Sequence, residues 1–279
     1  MIKIKDKFMS KLHLKYEKLK DYLKSLGRVA VAYSAGVDST FLLKTAHNVL
    51  GDDAIAITVK HSAFPQRDFS EADDFCKREK IKQIKLQFDV FSVKGFNKNP
   101  PDRCYICKKA LFQNLIDEAK KQNIENILEG SNADDDKDYR PGKKAILELN
   151  IKSPLKEAGL TKEDIRILSK EQGIYTWNKP SYACLATRIP YNDEITKDKL
   201  FMIEKAEDYL YNLGFKQSRV RLHKDVARIE IEEAQFEEII TKKIRNDISN
   251  KLRELGFTYV SLDLDGYKMG SLNRKIIKD

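Results

Sequence analysis

One stretch constrains this chain more than any other: Val29-Ala30-Val31-Ala32-Tyr33-Ser34-Ala35-Gly36-Val37-Asp38-Ser39-Thr40. Val29 to Tyr33 is an apolar, β-branched run and reads as a buried parallel strand. Ser34 to Ser39 are small or polar and turn the chain. From Thr40 onward, Leu42, Ala46 and Val49 recur at helical spacing beside Leu43 and Leu50. Strand, tight loop and helix start together form an anion cradle, because the first amides of a helix lack internal partners and carry the positive end of its dipole. Small residues let phosphate oxygens come close to that backbone. No Gly-Lys-Ser/Thr follows, so this is not a Walker loop. A plainer alternative is that Asp38 and Ser39 cap the helix.

The segment Ser34-Ala35-Gly36-Val37-Asp38-Ser39 resembles the PP-loop, Ser-Gly-Gly-x-Asp-Ser, of the ATP pyrophosphatases. That resemblance implies cleavage of ATP between the α and β phosphates, with the loop holding pyrophosphate and Asp38 holding magnesium. Ala35 replaces the first glycine of the pattern. It permits close approach but excludes some backbone conformations with positive φ.

The 279 residues, 41% of them hydrophobic, suffice for one large domain or two modest ones. No stretch approaches the roughly 20 apolar residues of a membrane span. Met1 to Lys20 is basic and interrupted by charges, unlike a signal peptide, so the expected location is cytoplasmic and no membrane partner is expected. The net charge of +9 comes from dispersed lysines without an RNA-binding signature. It therefore points to anionic small molecules, or to a lysine-rich background, ahead of nucleic acid.

Alternation of strand and helix continues through residue 178. Ile4 to Leu26 has a loose helical pattern. Ala54 to Val59 reads as a second strand, and Asp68 to Lys80 as a helix with Phe69, Ala72 and Cys76 on one face. Ile84, Leu86 and Phe88 mark a third strand, and Cys104 opens a further helix. Ile127-Leu128-Glu129 is a fourth strand running into Gly130-Ser131-Asn132-Ala133-Asp134-Asp135. Asp138 to Gly142 reads as a turn, and Thr161 to Gln172 as a helix with Thr161 as N-cap. The expected fold is α/β: a doubly wound, Rossmann-like parallel sheet with ligands beyond the carboxyl ends of its strands. Val59 and the Gly130–Asp134 segment would share that edge with the phosphate loop. The character changes near residues 178 to 190. Beyond lie a helix (Thr196–Leu213), strands (Arg219–Leu222, Val226–Ile231), a long helix (Ala234–Leu255) and a last strand (Tyr259–Leu264). The expected division is residues 1–180 and a smaller α+β domain over 181–279.

Four cysteines are present. Cys76, on an apolar helix face, reads as core. Cys104, Cys107 and Cys184 supply three thiols, which suits a [4Fe-4S] cluster with one open iron. A redox disulfide at 104 and 107, or zinc completed by Cys76 or a histidine, are the alternatives. Arg188 near Cys184 would favour its thiolate. Arg219 and Arg221 alternate on a strand, so both guanidiniums leave one face. Such a pair suits a phosphate or carboxylate, although a solvated strand edge has the same spacing. His13, His47 and His61 have no ligand spacing. Trp177 reads equally as core or as a lid over a flat ring.

Taken in order, the phosphate loop, Gly130 to Asp135 with Tyr139-Arg140-Pro141-Gly142, the segment Pro180-Ser181-Tyr182-Ala183-Cys184-Leu185-Ala186-Thr187-Arg188-Ile189-Pro190, and Arg219-Val220-Arg221 resemble the LarE family over nearly the whole chain. These ATP-dependent sulfur-insertion enzymes serve synthesis of a nickel-pincer cofactor. The resemblance implies adenylation of a carboxylate on a nicotinate-derived pyridinium dicarboxylate mononucleotide, then replacement of oxygen by sulfur. Ser34, Ala35, Gly36, Val37, Asp38 and Ser39, with Val59, Gly130, Asn132 and Asp134, would take ATP and magnesium. Arg219 and Arg221 would hold the substrate's phosphate, and Arg188 would lie near the sulfur. The family has two sulfur sources: a sacrificed cysteine at the position of Cys184, or three cysteines holding a [4Fe-4S] cluster. Cys104, Cys107 and Cys184 match the second. A homo-oligomer is also implied. A PP-loop tRNA thiolation enzyme is the alternative within enzymes, and a nucleotide-binding regulatory module the alternative outside them.

Overall fold

The apolar runs become strands covered on both faces. A computed structural model describes residues 2–137, 141–180, 184–268 and 270–271. In it Val29–Ala32 (β1) and Ala54–Lys60 (β2) are buried along nearly their full length, as expected of parallel strands sandwiched between helices. The described residues divide into two compact units. One lies within Met1–His61, Gln66–Asp89 and Cys104–Lys179, the other within Ser62–Pro65, Val90–Arg103 and Pro180–Asp279.

The first unit begins with Ile2–Leu26 (α1), then β1, Val37–Leu50 (α2) and β2. Gln66–Glu79 (α3), Gln83–Gln87 (β3), Arg103–Lys121 (α4) and Asn126–Leu128 (β4) follow. Gly142–Glu148 (α5), Pro154–Glu157 (α6) and Lys162–Glu171 (α7) complete the series. The strands form a four-stranded sheet in the order β3-β2-β1-β4, parallel throughout. The alternating exposure of β3 marks it as an edge strand. From β1 the chain builds outward through β2 and β3, then returns to lay β4 on the other side of β1. In open α/β sheets such a reversal marks where a ligand crevice lies, beyond the carboxyl ends of the two strands, here β1 and β4. Leu12, Leu19 and Leu23 of α1, Phe41 and Leu42 of α2, Phe75 of α3, Leu155 of α6 and Ile165 and Leu168 of α7 share one hydrophobic core with the sheet. Cys76 belongs to that core, and burial pushes its thiol up to about 12.

The second unit contains Lys197–Asn212 (α8), Arg219–His223 (β5), Val226–Glu230 (β6), Phe236–Ile239 (α9), Lys242–Glu254 (α10) and Tyr259–Leu262 (β7). β6 is central, antiparallel to β5 and parallel to β7. The short segments 62–65 and 90–103 belong here through long-range backbone hydrogen bonds. Leu185 donates to Ala63, Asn192 to Asn99 and Ile195 to Asn97.

Two expectations are corrected. The single helix over 234–255 is interrupted, with α9 ending at Ile239 and α10 starting at Lys242 after Thr241 in an extended conformation. The break falls in Ile239-Ile240-Thr241, three β-branched residues whose side chains crowd a helical backbone. Gly142, read as the end of a turn, instead opens α5. Asp138, Tyr139 and Arg140 lie outside the described residues, as do Ser181, Tyr182 and Ala183. Among the described residues no helix is long and apolar enough to cross a membrane.

His61, at the end of β2, is buried with its ring edge-on to Phe88. Burial lowers its pKa to about 4. The unfolded chain therefore takes up a proton below pH ~6.5 that the folded chain takes up only near 4, and stability falls as pH drops through that window. Urea titrations between pH 7 and pH ~4.5 should show a loss of up to about 3 kcal/mol attributable to this group. The His61→Gln variant should show a flatter profile.

Candidate functional site

The phosphate loop takes shape from its own side chains. Gly36 is the N-cap of α2 and has no side chain to occupy the first-turn amides. Ser39 and Asp38 do not cap the helix either. The Ser39 hydroxyl accepts from the Ser34 amide (3.3 Å), pairs with the Ser34 hydroxyl (3.0 Å) and donates to the Gly36 carbonyl (3.3 Å). Thr40 Oγ1 donates to the same carbonyl at 2.7 Å. Ala35 adopts φ +54° and is fully buried. This left-handed conformation costs an L-residue about 1–2 kcal/mol, so alanine occupies a place that suits glycine.

Asp38 points away from its own helix. Its Oδ2 accepts from Lys162 Nζ at 2.5 Å, and its Oδ1 from Asn132 Nδ2 at 3.5 Å. The loop after β4 is knitted to the start of α7. Asp134 Oδ2 accepts the Lys162 amide at 2.9 Å, Asn132 Oδ1 accepts the Asp134 amide at 2.9 Å, and Ala133 donates to the Leu160 carbonyl at 2.8 Å. Thr161 and Asp164 form a reciprocal capping box that sets where α7 begins. Gly130 lies against the start of α2. A Cβ there would come within 3.0 Å of the Ser39 nitrogen and 3.3 Å of its Cα. Ser34 to Ser39, Gly130, Asn132 and Asp134 are thus gathered at the crevice between β1 and β4. Val59 is buried in β2, in register with Leu86 of β3.

Lys162 and Lys179 are additions that the sequence motifs do not supply. A lysine in the first turn of a helix sits at the positive end of the dipole, and that mismatch at Lys162 is the signal available in the sequence. Lys179, in the loop beyond α7, has no such local mark.

In the second unit Cys184 precedes the short 3-10 turn Leu185–Arg188. The Thr187 hydroxyl donates to the Cys184 carbonyl (2.7 Å) and accepts from Arg188 Nη1 (2.7 Å). Arg188 is 1% exposed and forks onto Glu207, with Nε to Oε1 at 2.7 Å and Nη2 to Oε2 at 3.1 Å. Arg221 forks onto Glu230 at 3.1 and 2.8 Å, and its Nη1 donates to the Thr187 carbonyl at 2.8 Å. Arg219 donates to the Ser218 carbonyl and lies 4.9 Å over the Tyr267 ring. Burial, then repulsion from Arg188, lowers the Arg219 pKa to about 10. Arg219 and Arg221 are both buried, so the solvated-edge alternative is set aside. Cys184, Arg188 and Arg221 are joined through Thr187, and Glu207 and Glu230 take the charges of Arg188 and Arg221. Sequence reasoning misses Glu207 because its partners lie on other elements.

Cys104 and Cys107 sit in the first two turns of α4, both half-buried. They belong to the first unit and Cys184 to the second. Three thiols are the right donors for an iron–sulfur cluster. Among the described residues, however, no group of three or more His, Cys, Asp or Glu side chains is arranged to hold a metal ion. Trp177 is half-buried beneath the Lys170 ammonium, 4.7 Å from its ring.

No protein-family profile matches the chain. Relatives do. The chain is 37% identical over 271 residues to the pyridinium-3,5-bisthiocarboxylic acid mononucleotide synthase of Lactiplantibacillus plantarum, covering 97% of this chain and 98% of that protein. It is 36% identical over 267 residues to an uncharacterized protein of Synechocystis, covering 96% and 100%. A weaker match, 25% over 199 residues, covers 65% of this chain and 63% of one component of the glutamine-hydrolyzing GMP synthase of Thermoplasma volcanium.

Two substitutions test this geometry. Gly130→Ala should cost about 1–3 kcal/mol, since backbone atoms on both sides must shift, and should lower the thermal midpoint. Glu207 is held below the ordinary carboxylate range: burial opposes ionisation, and Arg188 outweighs it through charge and hydrogen bonds. Its contribution is present above pH ~4.5 and is lost as pH falls toward its folded-state value. Glu207→Gln should cost about 3 kcal/mol at pH 7 by leaving Arg188 uncompensated. The deficit in urea midpoint should shrink on acidification.

Proposed function

This chain belongs to the LarE family, that of the pyridinium-3,5-bisthiocarboxylic acid mononucleotide synthase, and we propose that it is an ATP-dependent sulfurtransferase making a thiocarboxylate on a pyridinium mononucleotide. The observation that carries this reading is the phosphate loop at the β1–β4 crevice, with Asp38 held between Lys162 and Asn132. The named relative's product carries thiocarboxylates, so its precursor is a carboxylic acid. A carboxylate is a poor acyl donor until its oxygen becomes part of a good leaving group.

In the proposed reaction the substrate carboxylate attacks the α-phosphate of ATP. The α–β bond breaks, pyrophosphate leaves, and an acyl-adenylate forms. The amides of the loop and of the first turn of α2 face the departing anion. Asp38 and Asn132 are suited to hold magnesium, which would neutralise phosphate charge; the Lys162 ammonium now on Asp38 would then become available to the phosphates. Arg219 and Arg221 are proposed to bind the mononucleotide's own phosphate, Arg221 by exchanging part of its grip on Glu230 for the ligand. A sulfur nucleophile then attacks the activated carbonyl and displaces AMP.

For the sulfur source we propose the three-cysteine arrangement. Cys104, Cys107 and Cys184 would hold a [4Fe-4S] cluster, which would carry an added sulfide, taken up from solution, as the sulfur nucleophile. The thiol content supports this, and the placement of the described residues does not itself assemble the site. In the alternative, Cys184 is the nucleophile. Its thiolate displaces AMP to give a thioester. Loss of the Cα proton then breaks the Cβ–S bond, releasing thiocarboxylate and leaving dehydroalanine. A cytoplasmic homo-oligomer acting on a small molecule completes the proposal.

The test is anaerobic incubation with Mg-ATP and the pyridinium dicarboxylate mononucleotide, with AMP, pyrophosphate and protein mass measured. AMP should form only with the acid present. Asp38→Asn should reduce the rate by about 100-fold or more with unchanged circular dichroism. AMP formed with tRNA and not with the acid would overturn the substrate assignment. A mass loss equal to one hydrogen sulfide at Cys184 would overturn the cluster.

A further inference from the structure

Lys179 is the last residue of the first unit and lies beside the phosphate loop. Its side chain is only 10% exposed. The ammonium donates to the Ala35 carbonyl at 3.1 Å, to Asp68 Oδ1 at 3.0 Å and to Glu71 Oε2 at 2.5 Å. Each of these acceptors suits an N–H of a lysine ammonium. Asp68 and Glu71 are three residues apart on α3, so they share one face of that helix.

The carbonyl receiving this bond belongs to the fully buried alanine at φ +54°. A left-handed alanine relaxes toward negative φ unless its surroundings hold it. Relaxation would rotate the Ala35–Gly36 peptide and with it the entry to α2. The hydroxyls of Ser34, Ser39 and Thr40 act on Gly36, Ser34 and one another. Of the side-chain donors to this loop described above, Lys179 is the one bonded to the Ala35 carbonyl itself. It also screens two carboxylates that would otherwise face a loop meant for phosphate. Desolvation raises the pKa of Asp68 and Lys179 opposes that rise, consistent with a tight cluster.

We propose that Lys179 is a positioning residue that holds Ala35 in its left-handed conformation, and so keeps the phosphate loop in its anion-receiving shape. The proposal rests on the reading of this loop as the ATP site. It assigns Lys179 to the protein's own backbone, with no contact to substrate, and explains how the loop tolerates alanine where glycine would adopt this conformation freely.

A double-mutant cycle tests it. Lys179→Met, Ala35→Gly and the double variant are compared with wild type by calorimetric titration with Mg-ATP and by thermal melting. With Ala35 present, Lys179→Met should weaken ATP binding by about tenfold or more, the scale of a lost charge-assisted hydrogen bond. In the Ala35→Gly background, the same change should cost about threefold or less, because glycine needs less support. Equal losses in both backgrounds would overturn the proposal. If Lys179→Met does not fold, the double variant should; its failure to fold as well would make Lys179 a general stabiliser and overturn the assignment. Wild-type protein that binds ATP in this cycle yet forms no AMP with the acid would overturn the reaction proposed above and leave the loop inference standing. Wild type that binds no ATP would overturn both.

Discussion

The approach of the β4 loop to the first turn of α2 governs the first unit. Gly130 leaves its neighbour so little room that a methyl group would press on the Ser39 backbone. That closeness brings Asn132 within reach of Asp38 and lets the loop clasp the start of α7 through Asp134 and the Lys162 amide. Lys162 then meets Asp38. Three segments far apart in the chain thus converge on one carboxylate. A parallel sheet makes this possible because the carboxyl ends of β1 and β4 lie side by side.

The second unit is organised by buried charge. Arg188 and Arg221 each take a carboxylate in a two-pronged grip, and Thr187 connects both arginines to the turn that starts at Cys184. Desolvating such groups is costly, and they contribute little net stability compared with apolar packing. Their value lies in geometry. A forked ion pair has one good arrangement, so it holds the turn after Cys184 in a defined place more firmly than apolar side chains do. Arg219 is pressed by burial and by its cationic neighbour Arg188.

Much of the fold was legible because its signals are local. The β-branched runs at 29–33 and 54–59 and the N-cap Thr161 act over a few residues, and the elements form nearly where expected. A single helix over 234–255 extends an amphipathic pattern across Ile239-Ile240-Thr241, where local crowding outweighs periodicity. In the candidate site, the loop residues were readable because small residues between strand and helix are a local, consecutive pattern. The burial of Arg219 and Arg221 was not. Their alternation is the same on a wet edge and in a covered strand, and only the partners decide which.

By itself the sequence determined the strand–loop–helix at residues 29–50, the parallel sheet and the family. Each follows from short-range stereochemistry or from motifs written in consecutive residues. Tertiary structure alone decided that Asp38 meets Lys162, that Lys179 reaches the Ala35 carbonyl, and that Glu207 and Glu230 grip the arginines. Those pairs are separated by 9 to 144 residues. A charged side chain gives no sign in the sequence of its partner, because the partner is chosen by where the sheet and helices bring the backbone.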